Sequence, residues 1–251
     1  MSTFLEVHGV RKYYGKKEAL KGVSLAINAG EIVGLLGVNG AGKTTLSNII
    51  ATLCPASAGD VTFNGRSIYE DIIGYRMHIG YCPQGNNLNR MLTLEENLLQ
   101  AGRYYGINEA DLKNRLEELA VQLSLHEYLK YRPDQLSGGF RQRFMIARSL
   151  MHKPSLVILD EPTVALDPHI RHQLWDLIKT LKLQGISVLL TTHYLDEAEY
   201  LSDRVCVLHN GEVIAVDTPA NLKTRYTKGR LEDVFLQLIN EQSTTENKVE
   251  K

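Results

Sequence analysis

The stretch Glu31-Ile-Val-Gly-Leu-Leu-Gly37-Val-Asn39-Gly40-Ala41-Gly42-Lys43-Thr44-Thr45 decides how this 251-residue chain is read. Glu31–Leu36 is a nearly continuous apolar run, the pattern of a strand buried on both faces. Gly37 to Thr44 then matches G-x-x-x-x-G-K-[ST]. The segment from Lys43 to Leu53 reads as a helix. A glycine-rich loop between a buried strand and a helix lets successive backbone N–H groups converge on an anion, and the helix N-terminus adds positive potential. In this context Lys43 reaches the β- and γ-phosphates of a nucleotide, Thr44 is a ligand for Mg²⁺ and Thr45 donates to a phosphate. A plain glycine turn into a helix is the alternative, and it leaves the strand–loop–helix order unexplained.

A second signal lies far along the chain. Leu156-Val-Ile-Leu-Asp160-Glu161 is an apolar strand ending in two adjacent carboxylates. Strand C-termini line the ligand crevice of a parallel sheet, and neighbouring residues there point to different sides. Asp160 suits the metal and Glu161 suits the base that orients an attacking water. Alone, the pair would be an ordinary solvated strand end; beside a phosphate loop it acquires a use.

The remaining pattern fits around these two segments. Alternation over Phe4–Val10 and Val23–Ile27 predicts two half-buried strands, and Asp60–Phe63 and His78–Cys82 are short strands. Leu94–Tyr105, Glu109–Leu123 and Ser137–Met151 have helical spacing. Ser155–Leu159 and Ile186–Thr191 are buried strands either side of an amphipathic helix, Pro168–Leu183. Arg204–Leu208 and Glu212–Val216 flank His209-Asn210-Gly211, and Asn-Gly between apolar runs signals a hairpin. The tail from Asn240 is polar and is expected to fray. The order is β-rich, then all helical from about 90 to 152, then α/β again.

Composition excludes several classes. Hydrophobic residues make 43% and charged residues 23%, as in ordinary globular proteins. Lys and Arg number 28 against 29 Asp and Glu, a net charge of -1 that gives no global field toward nucleic acid or anionic lipid. Cys54, Cys82 and Cys206 are widely spaced, so free, buried thiols in a reducing compartment are expected. No stretch approaches the ~18–20 apolar residues of a membrane span, and the N-terminus lacks the long apolar run of a signal peptide.

At Leu136-Ser137-Gly138-Gly139 the chain resembles a family. This tetrapeptide, with a phosphate loop before it and Leu156–Pro162 after it, is similar to the signature of the ATP-binding subunits of ABC transporters. The resemblance implies a P-loop NTPase (RecA-like) α/β core with N-terminal antiparallel strands and an inserted all-helical subdomain. Residues 1–89 and 153–220 would form the core, 90–152 the helical subdomain with the signature, and 221–251 C-terminal helices and a polar tail. It further implies that two subunits sandwich two Mg-ATP head to tail, the phosphate loop of one facing Ser137, Gly138 and Gly139 of the other. The start of a helix, with its unpaired N–H groups, fits that task.

The same resemblance implies roles for scattered residues. Tyr14 stacks on adenine. Gln84 contacts Mg²⁺ and water and reports to the membrane partner. Asp167 links the two subunits, and His193 sits on the γ-phosphate. Lys43, Glu161 and His193 form the catalytic set, with Thr44, Gln84 and Asp160 on the metal. Two departures stand out: Phe140 replaces the Gln that usually follows the signature, and Val164 occupies a position that is often small. Phe140 removes any polar contact that Gln would make, and helical-wheel positions put it at the edge of the apolar face of its helix or beyond it, half exposed.

The resulting expectation is an ATPase motor of a transporter. It acts at the cytoplasmic membrane face through separate permease subunits, binds no nucleic acid, and pairs with a second copy or a related chain. Tyr200–Val207, Thr218–Tyr226 and Leu231–Leu238 are similar to exporters of the ABC-2 type. The alternative is a soluble ABC ATPase of translation or DNA maintenance. Translation types carry two cassettes, and DNA types carry long coiled coils between phosphate loop and signature; neither feature is present here. A P-loop kinase would leave the signature unexplained.

Overall fold

The computed structural model describes residues 3–226 and 229–249. In chain order the elements are β1 (Thr3–Tyr14), β2 (Lys17–Asn28), β3 (Ile32–Leu36), α1 (Lys43–Ile50), β4 (Ala58–Phe63), β5 (Arg66–Ser67), α2 (Ile72–Arg76), β6 (Ile79–Cys82), α3 (Leu94–Tyr104), α4 (Glu109–Gln122), α5 (Gly138–Leu150), β7 (Leu156–Asp160), α6 (Pro168–Leu183), β8 (Ser187–Thr192), α7 (Leu195–Leu201), β9 (Arg204–His209), β10 (Glu212–Asp217), α8 (Pro219–Tyr226) and α9 (Leu231–Val249). Two 3₁₀ turns, His126–Tyr128 and Pro133–Gln135, precede α5. The contacts divide the chain into two compact units, Met1–Glu70 with Leu189–Lys251, and Asp71–Val188.

The first unit holds an antiparallel sheet in the order β2-β1-β4-β5. The alternation seen in the sequence puts Leu5, Val7 and Val10 inside while Glu6 and His8 remain accessible. A second set of strands runs β10-β9-β3. β3 pairs parallel with β9, and β9 pairs antiparallel with β10. All five residues of β3 are buried, as its unbroken apolar run requires. β9 and α7–α9 close a core in which Leu36, Val205, Val207, Leu222, Leu231, Val234, Phe235 and Leu238 meet. The tail differs from expectation. It is not frayed from Asn240: α9 continues to Val249. The apolar spacing of Leu231, Val234, Phe235 and Leu238 anchors the helix, and the polar residues that follow (Glu, Gln, Lys) propagate it readily.

The second unit contains β6 and β7, paired in parallel, with α3, α4 and α5 between them in the chain. The helices are strongly specified at their starts. Thr93 forms a capping box with Glu96, its hydroxyl accepting from the Glu96 N–H while Glu96 accepts from the Thr93 N–H. Asn108 caps α4 by accepting from the Asp111 N–H. α6 buries Leu174, Trp175, Ile178 and Leu181. The sequence pattern puts Ile170, Leu174, Leu177, Ile178 and Leu181 inward; Ile170 and Leu177 are only half-buried, and Trp175 is buried beside the other three. α2 escaped the sequence reading because it is a single turn.

Candidate active site

In the first unit the phosphate loop has the conformation its glycines permit. Gly40 and Gly42 lie at φ 83 and 110, in the left-handed region where other residues are strained. Gly42 is the N-cap of α1 and offers no side chain, and no acidic residue occupies the first turn. The start of α1 therefore presents its positive end with neither a capping side chain nor an acidic residue to offset it, as an anion site requires. Lys43 is buried, and its Nζ donates to the carbonyls of Gly37 at 2.8 Å and Val38 at 3.3 Å, folding the ammonium back over the start of the loop. Asn39 and Thr44 are exposed, Ala41 is buried and Thr45 is half-buried.

Tyr14 lies half-exposed in the same unit, its hydroxyl 4.0 Å from the Cys54 Sγ. Partial burial pushes its phenol above the usual tyrosine range and Cys54 adds to this, while a hydrogen bond with Thr45 opposes it. Cys54 itself is only half-buried, unlike the expected core thiol. His193 follows β8 and packs against Tyr194 with ring centroids 4.3 Å apart.

The second unit gathers the acidic strand end, Gln84 and the signature. Asp160 and Glu161 are both buried, at 1% and 8% exposure. The Gln84 Nε2 donates to a Glu161 carboxylate oxygen at 3.1 Å. Glu161 has φ 49, so the chain turns sharply away as β7 ends. Cys82 sits below, its thiol pushed up to about 12 by burial with the Asp160 charge adding to the effect, so it stays protonated. Gln142, on α5, donates to Cys82 Sγ at 3.5 Å. This link between the signature helix and β6 spans 60 residues and left no trace in the sequence.

Ser137 is the N-cap of α5 and accepts from the Phe140 N–H at 3.4 Å. Ser137 and Gly138 are exposed. Gly139 is buried against α6, and a Cβ there would come within 2.3 Å of the Ile170 side chain. Phe140 is half-buried, as its wheel position implied. Its ring lies 4.1 Å from the Tyr128 ring, and the Arg143 guanidinium is 5.5 Å from its centroid. Arg143 continues to Gln173 on α6 at 2.7 Å. Asp167 is exposed at the N-cap position of α6, yet its side chain makes no capping hydrogen bond. Its carboxylate is not committed to the helix it precedes.

Comparison with known proteins gives a consistent picture. The profile of the family described as ABC transporter matches residues 20–164. The linearmycin resistance ATP-binding protein LnrL of Bacillus subtilis (strain 168) is 38% identical over 237 residues, covering 94% of this chain and 76% of that protein. A Nod factor export ATP-binding protein I from Rhizobium sp. (strain N33) is 36% identical over 231 residues, covering 92% and 76%. Among solved structures, an ATP-binding subunit of an ABC transporter superposes with a TM-score of 0.85 at 33% identity, covering 94% of this chain and all of that one. A dimeric ATP-binding cassette in a post-hydrolysis state with ADP and Pi gives 0.77 at 30% identity, covering 85% and 98%.

Proposed function

This chain belongs to the ABC transporter family and is an ATP-hydrolysing cassette with the α/β P-loop NTPase fold, and we propose that it drives an exporter through separate permease subunits. The observation that supports the reading most is the glycine-capped start of α1 with the Lys43 ammonium folded back over the loop, an arrangement suited to an anion. The names of the relatives, a resistance protein and Nod factor exporters, support export over a role in translation or DNA maintenance.

The assigned roles follow from the chemistry of each group. Tyr14 presents an exposed ring to adenine. The N–H groups of Gly40, Gly42, Lys43, Thr44 and Thr45 hold the phosphates, with Gly37, Asn39 and Ala41 shaping the loop (the Ala41 N–H donates to the Val38 carbonyl at 3.1 Å), and the Lys43 ammonium offsets the phosphate charge. Thr44, Gln84 and Asp160 provide only hard oxygen donors, which fit Mg²⁺, an ion that takes one or two carboxylates beside substrate phosphates. Bound there, the ion would neutralise charge on the β- and γ-phosphates. Glu161 orients water in line with the γ-phosphorus and takes its proton as the bond to ADP breaks, and the Gln84 amide fixes the carboxylate. His193 completes the γ-phosphate contacts.

In a pair of cassettes, Ser137, Gly138 and Gly139 address the partner copy's nucleotide, and the uncommitted Asp167 carboxylate reaches the partner. The helical stretch 90–152 is then the signature-bearing subdomain of a core formed by 1–89 and 153–220, and 221–251 supplies C-terminal helices and a polar tail. Among the described residues no helix is long and apolar enough to cross a membrane. In this reading the chain meets the cytoplasmic face of the membrane through the permease. The test is phosphate release from Mg-ATP by the purified chain. Turnover in the wild type and none above background in Lys43→Ala is expected; equal turnover in both overturns the reading.

A further inference from the structure

The hairpin turn at Asn210-Gly211 has no part in the scheme above, yet it touches the phosphate loop directly. Asn210 and Gly211 lie at φ 46 and 82, the two positive values of a tight two-residue hairpin. The Gly211 N–H donates to the Ala41 carbonyl at 3.0 Å, and the Gly211 carbonyl accepts from the Lys21 N–H at 2.8 Å. The turn therefore bridges β2 and the phosphate loop, 170 residues before it in the chain, by backbone groups alone.

Side chains are excluded all round this junction. A Cβ on Gly37 would lie 2.4 Å from the Leu208 carbonyl oxygen, and one on Gly211 would lie 2.7 Å from that of Ala19. A Cβ on Gly42 would meet the Leu20 side chain at 2.8 Å and the Ala19 oxygen at 3.0 Å. Three backbone segments are thus in van der Waals contact: the loop, β2 at Ala19-Leu20, and the end of β9 with its turn. All of them lie in the first unit.

The consequence for the loop follows from peptide geometry. In a planar trans peptide the carbonyl and the N–H point in opposite directions. The bond from Gly211 fixes the Ala41 carbonyl, so it also fixes the Gly42 N–H, which is aimed away from the turn. Gly42 is the N-cap of α1, and the direction of its N–H is set from behind.

Resting on the assignment of this loop to nucleotide phosphates, we propose that the Asn210-Gly211 turn is a positioning element of the phosphate site, with Gly211 orienting the Ala41–Gly42 peptide toward the phosphates. The turn also hands the loop a route to the C-terminal helices. Val205 and Val207 of β9 share a core with Leu36, next to Gly37, and with Leu222, Leu231, Val234, Phe235 and Leu238.

The experiment compares Gly211→Ala with Val213→Ala. The first forces a Cβ against Ala19 and shifts the turn; the second trims a half-buried side chain of the same hairpin and leaves the turn intact. Both should lower the melting temperature without nucleotide. Gly211→Ala should also weaken ATP and ADP binding by about tenfold, as for loss of one well-placed hydrogen bond, with Val213→Ala within about twofold of wild type. Equal affinities in all three proteins, or equal weakening in both variants, would overturn the proposal. The wild type gives a second measurement that needs no variant. Hydrogen exchange in peptides spanning 205–214 should slow on ATP binding together with peptides spanning 36–46. Slowing in the loop alone overturns the proposal. Absence of any ATP binding by the wild type overturns the parent reading, and this one with it.

Discussion

The Gln84 side-chain amide donates to the Glu161 carboxylate at 3.1 Å, joining residues 77 positions apart at the ends of β6 and β7. Glu161 is buried at the end of its strand, so its direction is decided by such contacts rather than by solvent. Removing the amide should leave the carboxylate present and less well aimed. Gln84→Ala is expected to lower kcat for ATP by about 10–100-fold while Kd for ATP changes by less than about threefold, since misplaced groups lose rate more than binding. Steady-state phosphate release alongside equilibrium binding checks this, and unchanged kcat would sink it.

Glu161→Gln keeps the shape and removes both the proton acceptor and a negative charge beside the γ-phosphate. Turnover should fall by about 10²-fold or more, in line with loss of a general base. ATP binding should persist. The protein should sediment as a dimer with Mg-ATP and as a monomer without it. A variant that stays monomeric with bound ATP would contradict the sandwich arrangement.

Asp167 separates a structural from a functional carboxylate. A capping aspartate replaced by Ala costs about 0.5–2 kcal/mol. Asp167 makes no capping bond, so Asp167→Ala should change stability by less than about 0.5 kcal/mol, as at an ordinary surface site. ATPase activity should nevertheless fall, and fall most at low protein concentration, where subunit pairing limits the rate. Denaturant unfolding and a concentration series of activity measure the two effects independently.

The sequence made some of this legible and concealed the rest for identifiable reasons. The phosphate loop is a local pattern, and its strand, loop and helix appear where the residues put them. α1 ends at Ile50 rather than Leu53 because the chain turns left-handed at Thr52, with φ 58. Asn210-Gly211 announced a hairpin, and β9 and β10 pair as expected, but nothing local reveals that its N–H meets Ala41. Gln84 was legible only through resemblance, because Tyr81-Cys-Pro-Gln carries no chemistry of its own. Gln142 on Cys82 and Arg143 on Gln173 escaped entirely, since polar residues on a helix read as solvated until their partners are known.

His152 gives a pH signature outside the site. Its ring stacks on Tyr105 at 3.6 Å, and Nε2 lies 2.8 Å from the Ile79 carbonyl. Burial lowers its pKa from the ordinary 6.5 to about 4; the Ile79 carbonyl opposes this, and the nearby Arg115 and His78 reinforce it. A lowered folded pKa means that the folded state prefers the neutral ring. The contribution is therefore fully present above about pH 6.5 and is lost as pH falls through about 4. Allowing for partial exposure, the loss amounts to about 2 kcal/mol. His152→Phe keeps a stacked ring and removes the titration. Its unfolding free energy should fall less steeply than that of the wild type between pH 6.5 and 4, and parallel curves would refute the assignment.

Phe140→Gln restores the residue usual after the signature and tests what the ring does. A fully exposed aromatic could be replaced for about 0.5 kcal/mol or less, and a core aromatic would cost nearer 2 kcal/mol or more. The ring is between these limits. It is half-buried, tilted 38° against Tyr128 at 4.1 Å and covered by Arg143, while Tyr128 meets Tyr131 edge-on at 5.7 Å. An aromatic pair contributes about 0.5–1.5 kcal/mol and an exposed cation–π contact about 0.5–1 kcal/mol beyond area burial. Gln keeps the Cβ methylene and loses both ring contacts. Phe140→Gln should therefore cost about 1–2 kcal/mol in chemical denaturation without nucleotide. Much of that cost should vanish when Tyr128 is already Leu, giving a coupling of about 0.5–1.5 kcal/mol in the double-mutant cycle. ATP affinity of the single subunit should stay within about twofold, because the ring braces the turn at Tyr128 and the start of α5 rather than the phosphate loop. A loss of 0.5 kcal/mol or less, with no coupling to Tyr128, would mean that the ring is free for a partner surface and contributes nothing to its own subunit.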